Sequence, residues 1–181
     1  GRLIKHYKWV VVVMLGFGVV SGSGVLAAQY WGNQDVKSIR KVTGLGVLIA
    51  LTGALLFAAP SVLCPAVVMR IFTDSEKAIQ TGAAYLAVAA LSYPFTAVTN
   101  TYVAMLRAVG RVKAPVAISL MTILINIVLN YILIFGHFGA PRLGVTGAAI
   151  ATLTARIAES GAILAAVYTT RSPIAGRLGE M

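Results

Sequence analysis

Four stretches of this chain contain no Asp, Glu, Lys or Arg, and what separates them is mostly basic. They lie between Lys8 and Asp35, Lys41 and Arg70, Lys77 and Arg107, and Lys113 and Arg142, and measure 26, 28, 29 and 28 residues. A hydrocarbon core about 30 Å thick takes about 20 residues of helix to cross. Each run can therefore span a bilayer with residues left for tilt and for the interfaces, and no soluble fold needs four in succession. A fifth span begins near Gly144 and ends before Arg171, interrupted by Arg156 and Glu159.

The composition agrees: hydrophobic residues make up 59%, charged residues 11%, and the mean hydropathy is +0.88. A soluble domain carries about 25% charged residues. Within lipid every backbone polar group must be satisfied internally, so helices and closed barrels are the only spanning structures. Continuous apolar runs, rather than alternation with period two, select helices. The predicted fold class is all-α, a polytopic helical membrane protein with the lipid bilayer as its surroundings. A single cysteine, Cys64, excludes an intramolecular disulfide. The net charge of +10 is spread singly between spans rather than gathered on one face, which argues for membrane topology and against a nucleic-acid partner.

Helices are expected at about 9–29, 44–69, 79–106, 115–136 and 144–169, joined by connectors too short to divide residues 1–181 into soluble domains. Pro60 and Pro94 should kink their helices by removing a backbone hydrogen bond. Gly18 and Gly22 make a face of small residues suited to close helix approach. Trp9, Tyr30 and Trp31 read as interfacial anchors. Lys37, Arg40 and Lys41, then Arg107, Arg111 and Lys113, then Arg171 and Arg177 alternate correctly to share one side, assigned to the cytoplasm. Arg2, Lys5 and Lys8 fall on the opposite side and disagree. A chain that opens at Gly1 without methionine is expected to have lost upstream sequence.

Polar groups within the spans are candidates for chemistry. Asn126 and Asn130 lie four residues apart and so share a helix face. Counted inward from Gly136 and from Gly144 at 1.5 Å per residue, Asn130, Asn126 and Thr152 fall about 9, 15 and 12 Å deep. Two amide oxygens and a hydroxyl can converge there on a small cation or a water chain. Interhelical hydrogen bonding alone would account for the same residues, and both readings stay open. Arg156 and Glu159, the embedded charges, continue a polar stripe from Thr152. They read either as a local ion pair facing the interior or, through Glu159, as a proton-handling group lining a cytoplasm-facing cavity. Asn100 reads as a buried packing amide, and Tyr93 either lines a cavity or fills space beside a kink. Gly22-Ser23-Gly24 has no following lysine, so it is no phosphate cradle. Neither a metal-ligand cluster nor a nucleophile–base pair occurs, so an enzyme, a resident cofactor and direct use of ATP are not expected.

The segments Gly22 to Asp35 (GSGVLAAQYWGNQD), Arg107-Ala108-Val109-Gly110 with Lys113 and Pro115, Asn126 to Gly136 (NIVLNYILIFG) and Gly144 to Thr152 (GVTGAAIAT) resemble, in order and spacing, the amino-terminal lobe of multidrug and toxic compound extrusion (MATE) transporters. The resemblance implies twelve helices in two six-helix lobes. It also implies a secondary antiporter that expels cationic organic compounds in exchange for sodium ions or protons, in a bacterial inner membrane. Against that pattern the chain holds helices two to six of the first lobe. The first helix, which carries an acidic residue central to coupling, and the whole second lobe would be its missing partners. Asn126 and Thr152 match positions that contribute to cation binding in the family, and Asn130 matches a position that is acidic there. Arg156 and Glu159 depart from the better-studied members and resemble a branch with the AQYWG signature. The alternatives are a lipid-linked precursor flippase of the same superfamily, which would line its cavity with several basic residues, and a non-transporting membrane scaffold, which needs no converging polar stripe.

Overall fold

A computed structural model describes residues 18, 21–139, 141–170 and 172–175. The expected first span, 9–29, lies largely outside them, as do Arg2, Lys5, Lys8, Trp9, Arg171 and Arg177. Helix α1 covers 21–32, α2 Val36–Leu63, α3 Pro65–Met69 and α4 Glu76–Ala89. A 3₁₀ turn, Ala90–Ser92, leads into α5 Tyr93–Ala108, followed by α6 Lys113–Phe135 and α7 Gly144–Thr169. No strand occurs among the described residues. Val36–Leu63, Glu76–Ala108, Lys113–Phe135 and Gly144–Thr169 are each long and apolar enough to cross a membrane. The chain is an all-α polytopic membrane fold.

Three expectations need correcting. The second helix starts at Val36 rather than 44, because Asp35 caps it: its Oδ1 accepts the Ser38 backbone N–H at 3.0 Å. Lys37, Arg40 and Lys41 therefore ride on the first turns of α2 instead of occupying a connector. That helix also passes through Pro60 and breaks at Cys64 (φ −135°, ψ 57°). A residue before proline is pushed out of the helical region, and Cys64 precedes Pro65. Finally, the close-packed glycines are not Gly18 and Gly22, whose added Cβ atoms would meet nothing within 4 Å. They are Gly46, where a Cβ would lie 3.2 Å from Thr101 Cγ2, Gly82, where it would run into the flexible Met69 side chain, and Gly147 on α7. A 3₁₀ turn, Ala90–Ser92, stands just before Tyr93 and Pro94.

Helix α7 is the hub. It packs on α4, α5 and α6, while α2 packs on α5 and α1 touches α2 and α5 near Gly46 and Gly24. The large buried side chains gather at one end of the bundle, in a core of Ala27, Ile39, Tyr102, Met105, Leu106, Val109, Ile163, Val167 and Ile174. Tyr30, read as an interfacial anchor, packs against this core, whereas Trp31 stays exposed. The same end brings together the basic connectors. Arg40 Nε donates to the Pro173 carbonyl at 3.4 Å, and Arg111 Nη1 to Thr170 Oγ1 at 3.4 Å. At the opposite end Arg70 and Glu76 approach to 4.0 Å with both side chains exposed, a pair worth little.

Candidate functional site

Helices α6 and α7 form an antiparallel pair whose register is pinned at two places. Near their junction α7 runs so close to α6 that a Cβ at Gly147 would sit 2.5 Å from the Leu133 carbonyl oxygen. That oxygen also accepts the Leu143 N–H at 3.0 Å, and Arg142 Nε donates to the Phe135 carbonyl at 3.0 Å. Deeper in, Ser119 Oγ donates to Glu159 Oε1 at 3.0 Å, across the same seam. Seven residues outward from Ser119 stands Asn126, and seven outward from Glu159 stands Thr152. Seven residues are two turns less about 20° and advance about 10.5 Å. Asn126 and Thr152 therefore face one another on the seam, two turns from the observed hydrogen bond.

Within the seam the asparagines touch: Asn130 Nδ2 donates to Asn126 Oδ1 at 3.0 Å. Both residues are half-buried, and Asn130 Oδ1 is buried with no hydrogen-bond partner among the described residues. The Thr152 hydroxyl donates to the Ala148 carbonyl of its own helix at 2.9 Å. Its oxygen retains acceptor capacity across from the amides. Buried polar groups are nearly always satisfied, so an orphaned carbonyl oxygen beside a second amide and a hydroxyl marks a place suited to a water or a small cation.

Arg156 and Glu159 form the expected i,i+3 ion pair, Nη1 to Oε2 at 2.7 Å. The Glu159 side chain is 5% exposed and has both oxygens engaged, one by Arg156 and one by Ser119. Ser119 escaped the reading from sequence, although its heptad spacing to Asn126 was available as a signal. Asn100 is exposed, not a buried packing amide. Its neighbour Thr99 is the buried one, 3% exposed with Oγ1 unpartnered, because it turns away from solvent as part of the packed face of α5. Tyr93 is half-buried at the start of α5.

Residues 8–132 match a family model described as MatE. The chain is 31% identical over 92% of its length to a probable multidrug resistance protein NorM of Thermotoga maritima, covering 36% of that protein. It is 27% identical over 91% of its length to the probable multidrug resistance protein YoeA of Bacillus subtilis, covering 35% of it. The chain thus spans about a third of these relatives. Among solved structures it superposes with TM-score 0.80 and 20% identity on an inward-facing multidrug resistance MATE family transporter of the MOP superfamily. That match covers 94% of this chain and 38% of the other. At this identity it shows the fold.

Proposed function

This chain belongs to the MatE family, and from that premise we propose that it forms part of a secondary antiporter exporting drugs or toxic organic compounds, cationic ones included, in exchange for sodium ions or protons. The relatives' descriptions as multidrug resistance proteins support the export reading. The observation that carries the coupling reading is the oxygen-rich seam between two spanning helices, where Asn126, Asn130 and Thr152 fall within about 6 Å of depth and Asn130 Oδ1 is unengaged among the described residues. Neutral oxygens solvate a monovalent cation without a balancing charge, so the site binds weakly. Alternating access in transporters built from repeats rocks one bundle against another around a central site. A preceding helix and a second lobe complete the machine.

The test is efflux from proteoliposomes by the full-length transporter under an imposed sodium or pH gradient. Asn130→Asp should strengthen the dependence on the coupling cation, since opposite charges attract strongly where water is scarce. Asn130→Leu and Thr152→Val should weaken it. Equal cation dependence in the Asp and Leu variants would remove the seam from the coupling site and leave Glu159 or the preceding helix to carry it.

A further inference from the structure

We propose that Arg156 receives a carboxylate carried by the transported compound, an inference that rests on the export reading above. Arg156 lies 12 residues into α7, about 18 Å from the start of the helix and close to its middle. A guanidinium at that depth must pair or face water. Glu159 engages it through Nη1, and among the described residues no partner is shown for the other four of its five N–H donors. Glu159 is itself fixed by Ser119, so it holds the arginine in place while satisfying only one corner of it.

The direction in which Arg156 opens decides what can reach it. Ile163 is seven residues further on and so within about 20° of Arg156 around the helix. Ile163 is fully buried, as is Val167 beyond it, whereas the Arg156 side chain is 43% exposed. Of the large exposed apolar side chains of α7, Ile157 and Tyr168 lie on a different face, and Val145, on the same stripe as Arg156, belongs to the first turn of the helix. Arg156 therefore stands on the inward stripe of the helix, between the large core residues Ile163 and Val167 on one side and the small buried Ala149 and close-packed Gly147 on the other. Lipid phosphates lie at the interfaces, far from this depth. The other charges on the helices packed against α7 sit at helix ends: Glu76 and Lys77 on α4, Arg107 on α5 and Lys113 on α6.

Glu159 is the carboxylate paired with Arg156. With an amide at Asn130 the seam offers no outer carboxylate, and Thr152, one turn from Arg156, is uncharged. A planar guanidinium matches a carboxylate with two parallel hydrogen bonds, which an ammonium cannot reproduce.

Two fluorescent dyes that share a ring system isolate the carboxylate: rhodamine 110 carries it free, and rhodamine 123 is its methyl ester and a cation. Efflux of both is measured with the full-length transporter in proteoliposomes, unmodified and as Arg156→Gln and Arg156→Lys. In Arg156→Gln, kcat/KM for rhodamine 110 should fall about tenfold while rhodamine 123 changes by less than about twofold, the loss expected for one charge-assisted pair. Arg156→Lys should fall between, and it replaces the glutamine variant should that one fail to fold. A parallel loss for both dyes, as a protein carboxylate or a purely structural pair would give, overturns the proposal, and so does no loss for either. If the unmodified transporter exports neither dye, the export reading fails. Dye binding by fluorescence anisotropy then decides Arg156 separately: a preference for rhodamine 110 that vanishes in Arg156→Gln supports it, and equal affinities overturn it.

Discussion

Replacing Gly147 by alanine should unfasten α6 from α7. The added Cβ would lie 2.5 Å from the Leu133 carbonyl oxygen and 2.8 Å from its carbon. Both atoms belong to helical backbone, so no side chain can rotate away and the helices must separate. Overpacking of this kind costs about 3 kcal/mol at the upper end of its range, and alanine returns about 1 through its helix propensity over glycine, leaving a net loss of about 2 kcal/mol. Gly161, on the same helix, supplies the matched control, because a Cβ there meets nothing within 4 Å. Gly161→Ala should therefore gain up to about 1 kcal/mol from propensity alone. The two variants of the full-length transporter, heated in detergent and followed by the monodisperse fraction on size exclusion, should move in opposite directions by several degrees. Equal shifts, or an unchanged Gly147→Ala, would refute the close approach and with it the register that places Asn126 across from Thr152.

Glu159→Leu should destabilise more than Ser119→Ala, because it strands a guanidinium as well as a hydroxyl. A loss of about 2–3 kcal/mol against about 1 is expected in the same melting assay. Thr99→Val should be neutral or stabilising, since it removes a buried hydroxyl without a partner, and a clear loss of melting temperature would reveal a bound water or ligand there. The Ser38 hydroxyl, and then its backbone N–H, hold the Asp35 carboxyl below its usual 3.8. A depressed carboxylate contributes at any pH above 3.8 and loses that contribution as the pH falls through its lower folded value. Amide exchange at the start of α2, corrected for the intrinsic rate, should accelerate below that value in the wild type and much less in Asp35→Asn. Expressed alone, the 181 residues should confer no drug resistance on an efflux-deficient bacterial host.

The spans Val36–Leu63, Glu76–Ala108 and Lys113–Phe135 were legible because charge is so costly in lipid that its absence over 28 or 29 residues singles out a membrane-crossing helix. Helix ends were harder. Lys37, Arg40 and Lys41 look like connector by charge, yet a capping aspartate and a carbonyl from the 172–175 segment make room for them on α2. The Asn126–Asn130 pair followed from helical spacing alone. The Ser119–Glu159 bond did not, because it depends on the offset between two helices, and Gly147 and Leu133 set that offset. Asn100 misled because amide and hydroxyl neighbours are equally polar, and only the packing of α5 decides which one turns inward.

The uneven distribution of the core has a mechanical consequence. Ile39, Met105, Ile163, Val167 and Ile174 interlock at the basic end, whereas the buried positions toward the far ends of α2 and α7 are mostly small, such as Ala58, Ser61, Ala149 and Ala151. Bending stiffness follows interdigitated contact, so the bundle resembles a beam clamped at one end. A lateral push at the far end would splay the tip of α2 from the α6–α7 pair, which stays fastened at Gly147 and Leu133, while surrendering little apolar burial. The same push at the clamped end would move all the helices as one piece.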